Sequence, residues 1–163
     1  MIQDSGILVN SKGRIFQINV SKGGVPKLAI SETEINFMGL MGDQQRNLEV
    51  HGGLERAVTL YSLERILALQ EEGHRIYPGA VGENLTLAGL DWSKVVPDAR
   101  LRLGDQVLIE ITRYASPCNT IAHVFIDEDY SRISQKQYPN WSRLCARVLQ
   151  PGLIIVGAPA VFE

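Results

Sequence analysis

The sequence predicts a mainly β fold, a small barrel-like β domain with a few peripheral helices. Short apolar runs of strand length, separated by glycine and proline, occur along most of the chain. The segment Ser62–Gly73 stands apart, because its apolar residues are spaced like the buried face of a helix. The 163 residues, 45% of them hydrophobic, suit a single globular domain covering residues 1–163.

The first third of the chain predicts strands joined by short turns. We expect a strand over Gly13–Val20, a turn at Gly23–Gly24 and a second extended segment over Lys27–Ile35. Residues Phe37–Gly42 are apolar and flanked by glycine, which favours a loop. Ala57–Tyr61 is rich in β-forming residues and predicts a buried strand.

The predicted helix begins directly after that strand. Ser62 is placed to cap it, and Glu64 lies in the first turn, where the helix dipole favours a carboxylate. Gly73 is expected to end the helix. The predicted apolar stripe consists of Leu63, Ile66, Leu67 and Ile76, with Leu69 nearby.

The second half of the chain predicts further strands. Asn84–Leu87 is short and extended, and Leu101–Ile111 is expected to form a hairpin around Gly104–Asp105. Trp141–Val148 fits a helix and a strand equally well. Pro151 and Gly152 introduce what we expect to be the last strand, Leu153–Val156. A short helix is expected from a cap at Asp129 or Ser131 to about Lys136.

Charge and composition exclude several classes of partner. The net charge of −2 and pI near 5.9 argue against nucleic acid, which demands clustered Lys and Arg. No apolar run reaches the ~20 residues that span a bilayer, so we expect no membrane association. Two cysteines, Cys118 and Cys145, do not make a disulfide framework, which favours the cytoplasm with both thiols reduced.

Cys118 is the sharpest candidate for chemistry. Pro117 fixes the backbone before it, and the pair follows a long apolar strand, where loops project from a rigid scaffold. A thiolate at that position is a nucleophile or a soft metal ligand. The alternative is a small buried hydrophobe, the usual fate of a free cysteine. For Cys145, which lies in an apolar segment, that alternative is much stronger.

His51 is the second candidate, because it precedes two glycines. The amides of Gly52 and Gly53 can form an anion nest beside the imidazole, although an ordinary turn explains the same residues. Glu83 and Asn84, which follow Gly82, can orient a ligand or satisfy buried backbone groups. The sequence has no Walker loop, dinucleotide fingerprint or standard zinc motif.

Taken together, these motifs resemble the MOSC domain family, named for the C-terminal domain of molybdenum cofactor sulfurase. The match runs over roughly residues 40–160, and its specificity comes from the order and spacing of individually weak motifs. The segments that carry it are Gly42–Gln44, His51–Gly53, Ala57–Val58, Tyr61–Ser62, Gly79–Leu85, Leu103–Asp105, Pro117–Cys118 and Ala146–Leu149.

The resemblance implies a β-rich barrel-like fold and a site for sulfur or molybdenum cofactor. By position, Cys118 is the family's functional cysteine, which carries a persulfide or ligates molybdenum, and His51 is expected to face the same pocket. The residues that the resemblance places around the cofactor are Gly52, Gly53, Glu83, Asn84, Asp43 and Arg147.

Several functions remain open from the sequence. One is a molybdenum-cofactor protein that reduces N-hydroxylated compounds, served by a redox partner. Another is a sulfur transferase, served by a sulfur-donor protein. A non-enzymatic anion-binding β module is third, and a thiol hydrolase using Cys118 and His51 is fourth. Larger members of the family add a further β-barrel or a domain that binds pyridoxal phosphate. We do not expect that cofactor here, because no lysine matches its Schiff base.

Overall fold

A computed structural model describes residues 12–44 and 53–163 of the chain. Its described elements are eleven strands, one α-helix and several short 3-10 turns. The strands are β1 Gly13–Val20, β2 Leu28–Ile30, β3 Glu32–Asn36, β4 Gly39–Leu40, β5 Val58–Ser62, β6 Leu85–Ala88, β7 Arg100–Leu103, β8 Val107–Ala115, β9 Arg143–Gln150, β10 Gly152–Ile155 and β11 Pro159–Phe162. The helix, α1, spans Leu63–Glu71.

Seven strands close into a barrel, which confirms the predicted fold class. The order around it is β11, β7, β8, β9, β5, β6 and β1, and β1 pairs with β11 to complete the ring. The closing pair joins Gly13 to Ala160. Because a closed barrel has no free edge, every one of these strands is paired on both sides. A smaller sheet, ordered β10, β3 and β4, lies beside it.

The barrel interior is packed with aliphatic side chains. Along β9, Leu144, Ala146 and Val148 are buried in this core. Side chains alternate along a strand, so Arg143 and the other odd-numbered residues of β9 lie on the opposite face. The candidate site is therefore built on the outside of the barrel wall, not in its interior.

Helix α1 begins where the sequence predicts. The Ser62 hydroxyl accepts a hydrogen bond from the Arg65 backbone N–H at 3.1 Å. Gly73 follows the helix with a φ of +105°. Two members of the predicted stripe are wrong, because Leu67 is exposed and Ile76, although buried, lies beyond the end of the helix at Glu71. Leu63, Ile66 and Leu69 are buried as predicted. The helix connects β5 to β6, which run parallel.

Several predicted strand boundaries need correction. The extended segment 27–35 is two strands, β2 and β3, which pair with different neighbours. The expected loop at 37–42 contains β4, which pairs with β3. Residues 152–155 form β10 as predicted, but β10 is not the last strand. The last is β11, which closes the barrel.

The region after β8 also differs from the prediction. The expected helix from Asp129 to Lys136 is a short 3-10 turn, Tyr130–Ile133, and Asp127 and Glu128 before it have positive φ angles. Ser134 after the turn is extended, with φ −84° and ψ 127°, so the turn ends there and does not continue as a helix to Lys136. The ambiguous segment 141–148 is a strand, β9. Within residues 12–44 and 53–163 we find no helix with the length and apolarity to cross a membrane.

Candidate functional site

Cys118 lies on the wall of a cavity of about 730 Å³. It follows β8 and directly precedes a 3-10 turn, Asn119–Val124. The thiol is partly exposed, and its Sγ atom lies 3.1 Å from the Thr120 hydroxyl. A partly exposed thiol at the edge of a cavity is accessible to a ligand or a sulfur donor.

The cavity is cationic. Among the described residues that line it, none is an aspartate or a glutamate. The titratable side chains that can carry positive charge there are Lys27, Arg56, Arg113, Arg143 and His123. Cations that converge on one concave surface raise the local concentration of anionic ligands.

Arg143 is held by two backbone carbonyls. Its Nη1 donates to the Val81 carbonyl at 2.7 Å and its Nη2 donates to the Ser116 carbonyl at 3.3 Å. Its Nε is buried and has no hydrogen-bond partner within the described part of the chain. Burial lowers the pKa of Arg143, while the thiols Cys145 and Cys118 act in the opposite direction. Arg143 therefore places positive charge in the wall that Cys118 and Cys145 also line.

Asn84 and Asp43 support the cavity from behind without lining it. The Asn84 side chain accepts from the Thr59 N–H at 3.0 Å and donates to the Asp43 carboxylate at 2.9 Å. Asp43 in turn accepts from Lys27 Nζ at 2.7 Å. Because Thr59 and Lys27 both line the cavity, this network fixes two segments of its wall.

Glu83 also lies outside the lining, directly after two residues that belong to it, Val81 and Gly82. It is 0% exposed, and its Oε2 accepts from the Gly79 N–H and the Thr86 hydroxyl, each at 3.0 Å. Its Oε1 has no hydrogen-bond partner among the described residues. Burial raises the pKa of Glu83, and Arg143 opposes that rise.

The remaining predicted residues lie elsewhere. Arg147 is on the same face of β9 as Arg143, but its guanidinium pairs with Glu110 and, at 3.4 Å, with Glu55, and it does not line the cavity. His51 and Gly52 fall outside the described residues. Gly53 is exposed with a φ of +91° and precedes a 3-10 turn that ends at Arg56, a lining residue.

Sequence reasoning missed Arg143, Cys145 and His123 as parts of this cavity. For the first two a signal existed, since assigning 143–150 as a strand places residues 143 and 145 on one face. The sequence of this segment fits a helix equally well, so it did not establish that residues 143 and 145 share a face. The position of His123 depends on an irregular turn and carries no periodic signal.

Comparison with known proteins decides the family. Residues 47–161 match the MOSC domain. The chain belongs to the MOSC domain family. Members of this family are associated with molybdenum-cofactor-related function, and this MOSC domain presents a cysteine on a cationic cavity.

Two curated relatives share this MOSC domain. Protein YiiM of Escherichia coli strain K12 is 31% identical over 133 residues, which are 78% of this chain and 58% of YiiM. The uncharacterized protein YflK of Bacillus subtilis strain 168 is 33% identical over 119 residues, 72% of this chain and 52% of YflK. The chain thus spans little more than half the length of these relatives.

Solved structures confirm the fold of the MOSC domain. A crystal structure of a hypothetical protein superposes with a TM-score of 0.72 at 26% identity, covering 91% of this chain and 67% of that one. The crystal structure of YiiM from Escherichia coli gives a TM-score of 0.70 at 23% identity, covering 93% and 69%.

Proposed function

We propose that this MOSC domain handles sulfur for molybdenum-cofactor chemistry, with Cys118 as the residue that carries the sulfur atom. The observation that carries the proposal is a partly exposed thiol on a cavity whose described lining is cationic and free of carboxylates. A persulfide on Cys118 is an anion when it loses its proton, and positive charge stabilises it. Family membership supports the same class of chemistry.

Sulfur loading requires one nucleophilic step. The Cys118 thiolate attacks the outer sulfur of a persulfide on a donor protein. The donor's sulfur–sulfur bond breaks, the donor leaves as a thiolate, and Cys118 keeps the outer sulfur with its hydrogen as a new persulfide. Atoms and electrons balance without a further oxidant. Arg143, held by the Val81 and Ser116 carbonyls, supplies positive charge near the incoming sulfur.

Mass spectrometry tests this proposal directly. The protein is incubated with a cysteine desulfurase and cysteine, sampled early, and mapped by peptide. We expect the mass of one added sulfur atom on the Cys118 peptide, in the wild type and in Cys145→Ser. Cys118→Ser should lose the adduct while remaining folded. Absence of an adduct at Cys118 in every preparation contradicts sulfur carriage.

A second candidate is molybdenum cofactor binding, and the size of the cavity favours it. A volume of about 730 Å³ is far larger than a sulfur atom needs and lies in the range of small-molecule and cofactor sites. The residues fit such a group, since Cys118 offers a soft sulfur ligand and Arg56, Arg113 and Arg143 offer charge for a phosphate. When bound, the cofactor would supply the two-electron chemistry needed to reduce N-hydroxylated compounds.

Elemental analysis separates the two candidates. Protein produced in a molybdenum-replete host, wild type and Cys118→Ser in parallel, is assayed for bound molybdenum and pterin. Stoichiometric metal that depends on Cys118 supports cofactor binding. If ligand binding persists in Cys118→Ser but weakens when Arg143 is replaced, the domain is instead an anion-binding module.

A further inference from the structure

The cavity contains a second thiol, Cys145, at the middle of its wall. Cys145 lies on β9, opposite Thr59 of β5 and Arg113 of β8. It is only 6% exposed, and it nevertheless lines the same cavity as Cys118. Thr59, which lies opposite Cys145 across the two strands, lines the cavity as well. Cys145 therefore presents a second sulfur atom to the cavity that Cys118 lines.

Arg143 connects the two sulfur atoms. It lines the same cavity as Cys118 and Cys145. The Cys118 segment is tied to it through the Ser116 carbonyl, which accepts from Nη2 at 3.3 Å, longer than the 2.7 Å bond to Val81. Cys145 lies two residues after Arg143 and Cys118 lies two residues after Ser116, so both thiols are placed next to the two partners of this contact.

We propose that Cys145 is the resolving thiol of this site, attacking a Cys118 persulfide, releasing its outer sulfur as hydrogen sulfide and leaving a Cys118–Cys145 disulfide. This inference rests on the proposed sulfur carriage by Cys118. It assigns a working role to a residue that the sequence presents as a packing cysteine, and it gives the stored sulfur a route out without a second protein.

The step balances without an external reagent. The Cys145 sulfur attacks the Cys118 Sγ atom, and a new sulfur–sulfur bond forms between them. The bond from Cys118 Sγ to the outer sulfur breaks, and that sulfur leaves as hydrosulfide, which takes up the proton that Cys145 loses. Cys145 is oxidised and the outer sulfur is reduced, so the electrons that Cys145 gives up are those that the outer sulfur gains.

The surroundings of Cys145 set its pH dependence. Burial raises the pKa of Cys145, and Arg143, Arg56 and Arg113 oppose that rise from β9, from the turn before β5 and from β8. At neutral pH the residue is therefore mainly a thiol, and its thiolate fraction grows as pH increases. Sulfide release should accelerate from pH 7 to pH 9 in the wild type. The cavity also holds Lys27, Tyr114 and His123, so Cys145→Ser, which keeps them, provides the baseline.

Two measurements on the full chain test the inference. In the first, the reduced protein is treated with diamide, a thiol oxidant that accepts two hydrogens, and mapped by peptide. We expect a monomeric species lighter by two hydrogen atoms with Cys118 linked to Cys145. If diamide gives only dimers or unlinked thiols, the two sulfur atoms cannot meet and the inference is overturned.

In the second, protein loaded with sulfur at Cys118 is separated from the donor and followed over time. The wild type should release sulfide and form the internal disulfide, whereas Cys145→Ser and Cys145→Ala should keep the adduct. Equal lifetimes in all three overturn the resolving role but leave sulfur carriage intact. An adduct that forms in none of them contradicts sulfur carriage itself. Matching melting curves confirm that the variants are folded.

Discussion

At the scale of single residues, the site depends on how Arg143 is held. A guanidinium with two carbonyl partners keeps one orientation, and that orientation fixes its charge in the cavity wall. The charge-assisted contacts of such a group contribute about 1.5–3 kcal/mol each. Arg113 lines the same cavity from an exposed position and provides the natural comparison.

Replacing Arg143 should slow sulfur loading of Cys118. We expect Arg143→Gln to reduce the initial loading rate about tenfold, equivalent to about 1.4 kcal/mol, because charge close to the sulfur is lost. Arg113→Gln should cost distinctly less, since that side chain is exposed to water. Initial rates by intact mass measure both. Equal effects would show that overall charge, and not the position of Arg143, governs loading.

Glu83 predicts a pH dependence of stability. Its pKa is raised in the folded protein, so the folded state holds the proton more tightly than the unfolded chain. Its stabilising contribution is complete below the ordinary glutamate pKa of about 4.3 and is lost as pH rises through the higher folded value. Urea unfolding from pH 4.5 to 8 should therefore show the wild type losing stability relative to Glu83→Gln. A difference that stays constant or reverses contradicts this assignment.

At the scale of elements, the sequence predicts the strands in which buried and exposed residues alternate regularly. It does not predict a strand whose identity depends on pairing with segments far away in the chain. The β7–β8 hairpin and the Ser62 cap follow from local signals and are confirmed. By contrast, β11 is a short strand whose identity comes from pairing with β1 and β7, far away in the chain. In β1, the register shifts between Ile15 and Gln17, and the buried positions change from Gly13 and Ile15 to Ile18 and Asn19, which breaks the alternation.

The site shows the same division. Cys118 could be predicted, because a proline and a loop mark it locally, and Glu83 and Asn84 could be singled out by the glycine before them. Of the two roles that the sequence leaves open for them, the structure shows the second, because Glu83 accepts from the Gly79 N–H and Asn84 accepts from the Thr59 N–H, and both side chains are buried. Local sequence alone could not choose between the two roles. Side-chain burial is a property of the assembled barrel.

The turn that leads into β6 depends on a close backbone approach at Gly79. Gly79 has a φ of +90°, and a Cβ atom there would collide with the Lys27 carbonyl. Gly157 has a φ of +93° with no atom within 4 Å of such a Cβ. We expect Gly157→Ala to cost about 1–2 kcal/mol of unfolding free energy from backbone strain. Gly79→Ala should cost more, and chemical denaturation measures both.

The ranking of these two variants decides the point. An equal loss of unfolding free energy in both variants would mean that the Lys27 segment moves away from the added Cβ atom at no cost in stability. The wall of the cavity would then be softer than its hydrogen bonds indicate.

At the scale of the whole molecule, the protein is slightly acidic while its cavity is cationic. The formal net charge is −2, yet positive groups converge on the wall around Cys118. The closed barrel supports this separation, because its interior is filled by aliphatic side chains and its outer wall carries the charged ones. Anions are therefore attracted to one place on the surface.

This field predicts a preference among alkylating reagents. For each reagent, the alkylation rate of Cys118 is divided by the alkylation rate of free cysteine. This ratio should be larger for the anionic reagent iodoacetate than for the neutral reagent iodoacetamide. The advantage should fade as salt shortens the Debye length from about 30 Å at 0.01 M to about 3 Å at 1 M. Peptide mapping assigns the label to Cys118. A rate ratio that does not change with salt concentration would mean that the cations of the cavity do not attract anions to the Cys118 thiol.

The most direct test of sulfur carriage is a crystal structure of the sulfur-loaded Cys145→Ser variant, with anomalous scattering used to locate sulfur. We expect one additional sulfur atom bonded to Cys118 Sγ, inside the cavity that Arg143 also lines. Clear density for an unmodified Cys118 in a protein that mass spectrometry shows to be loaded would place the sulfur elsewhere and rule out Cys118 as its carrier.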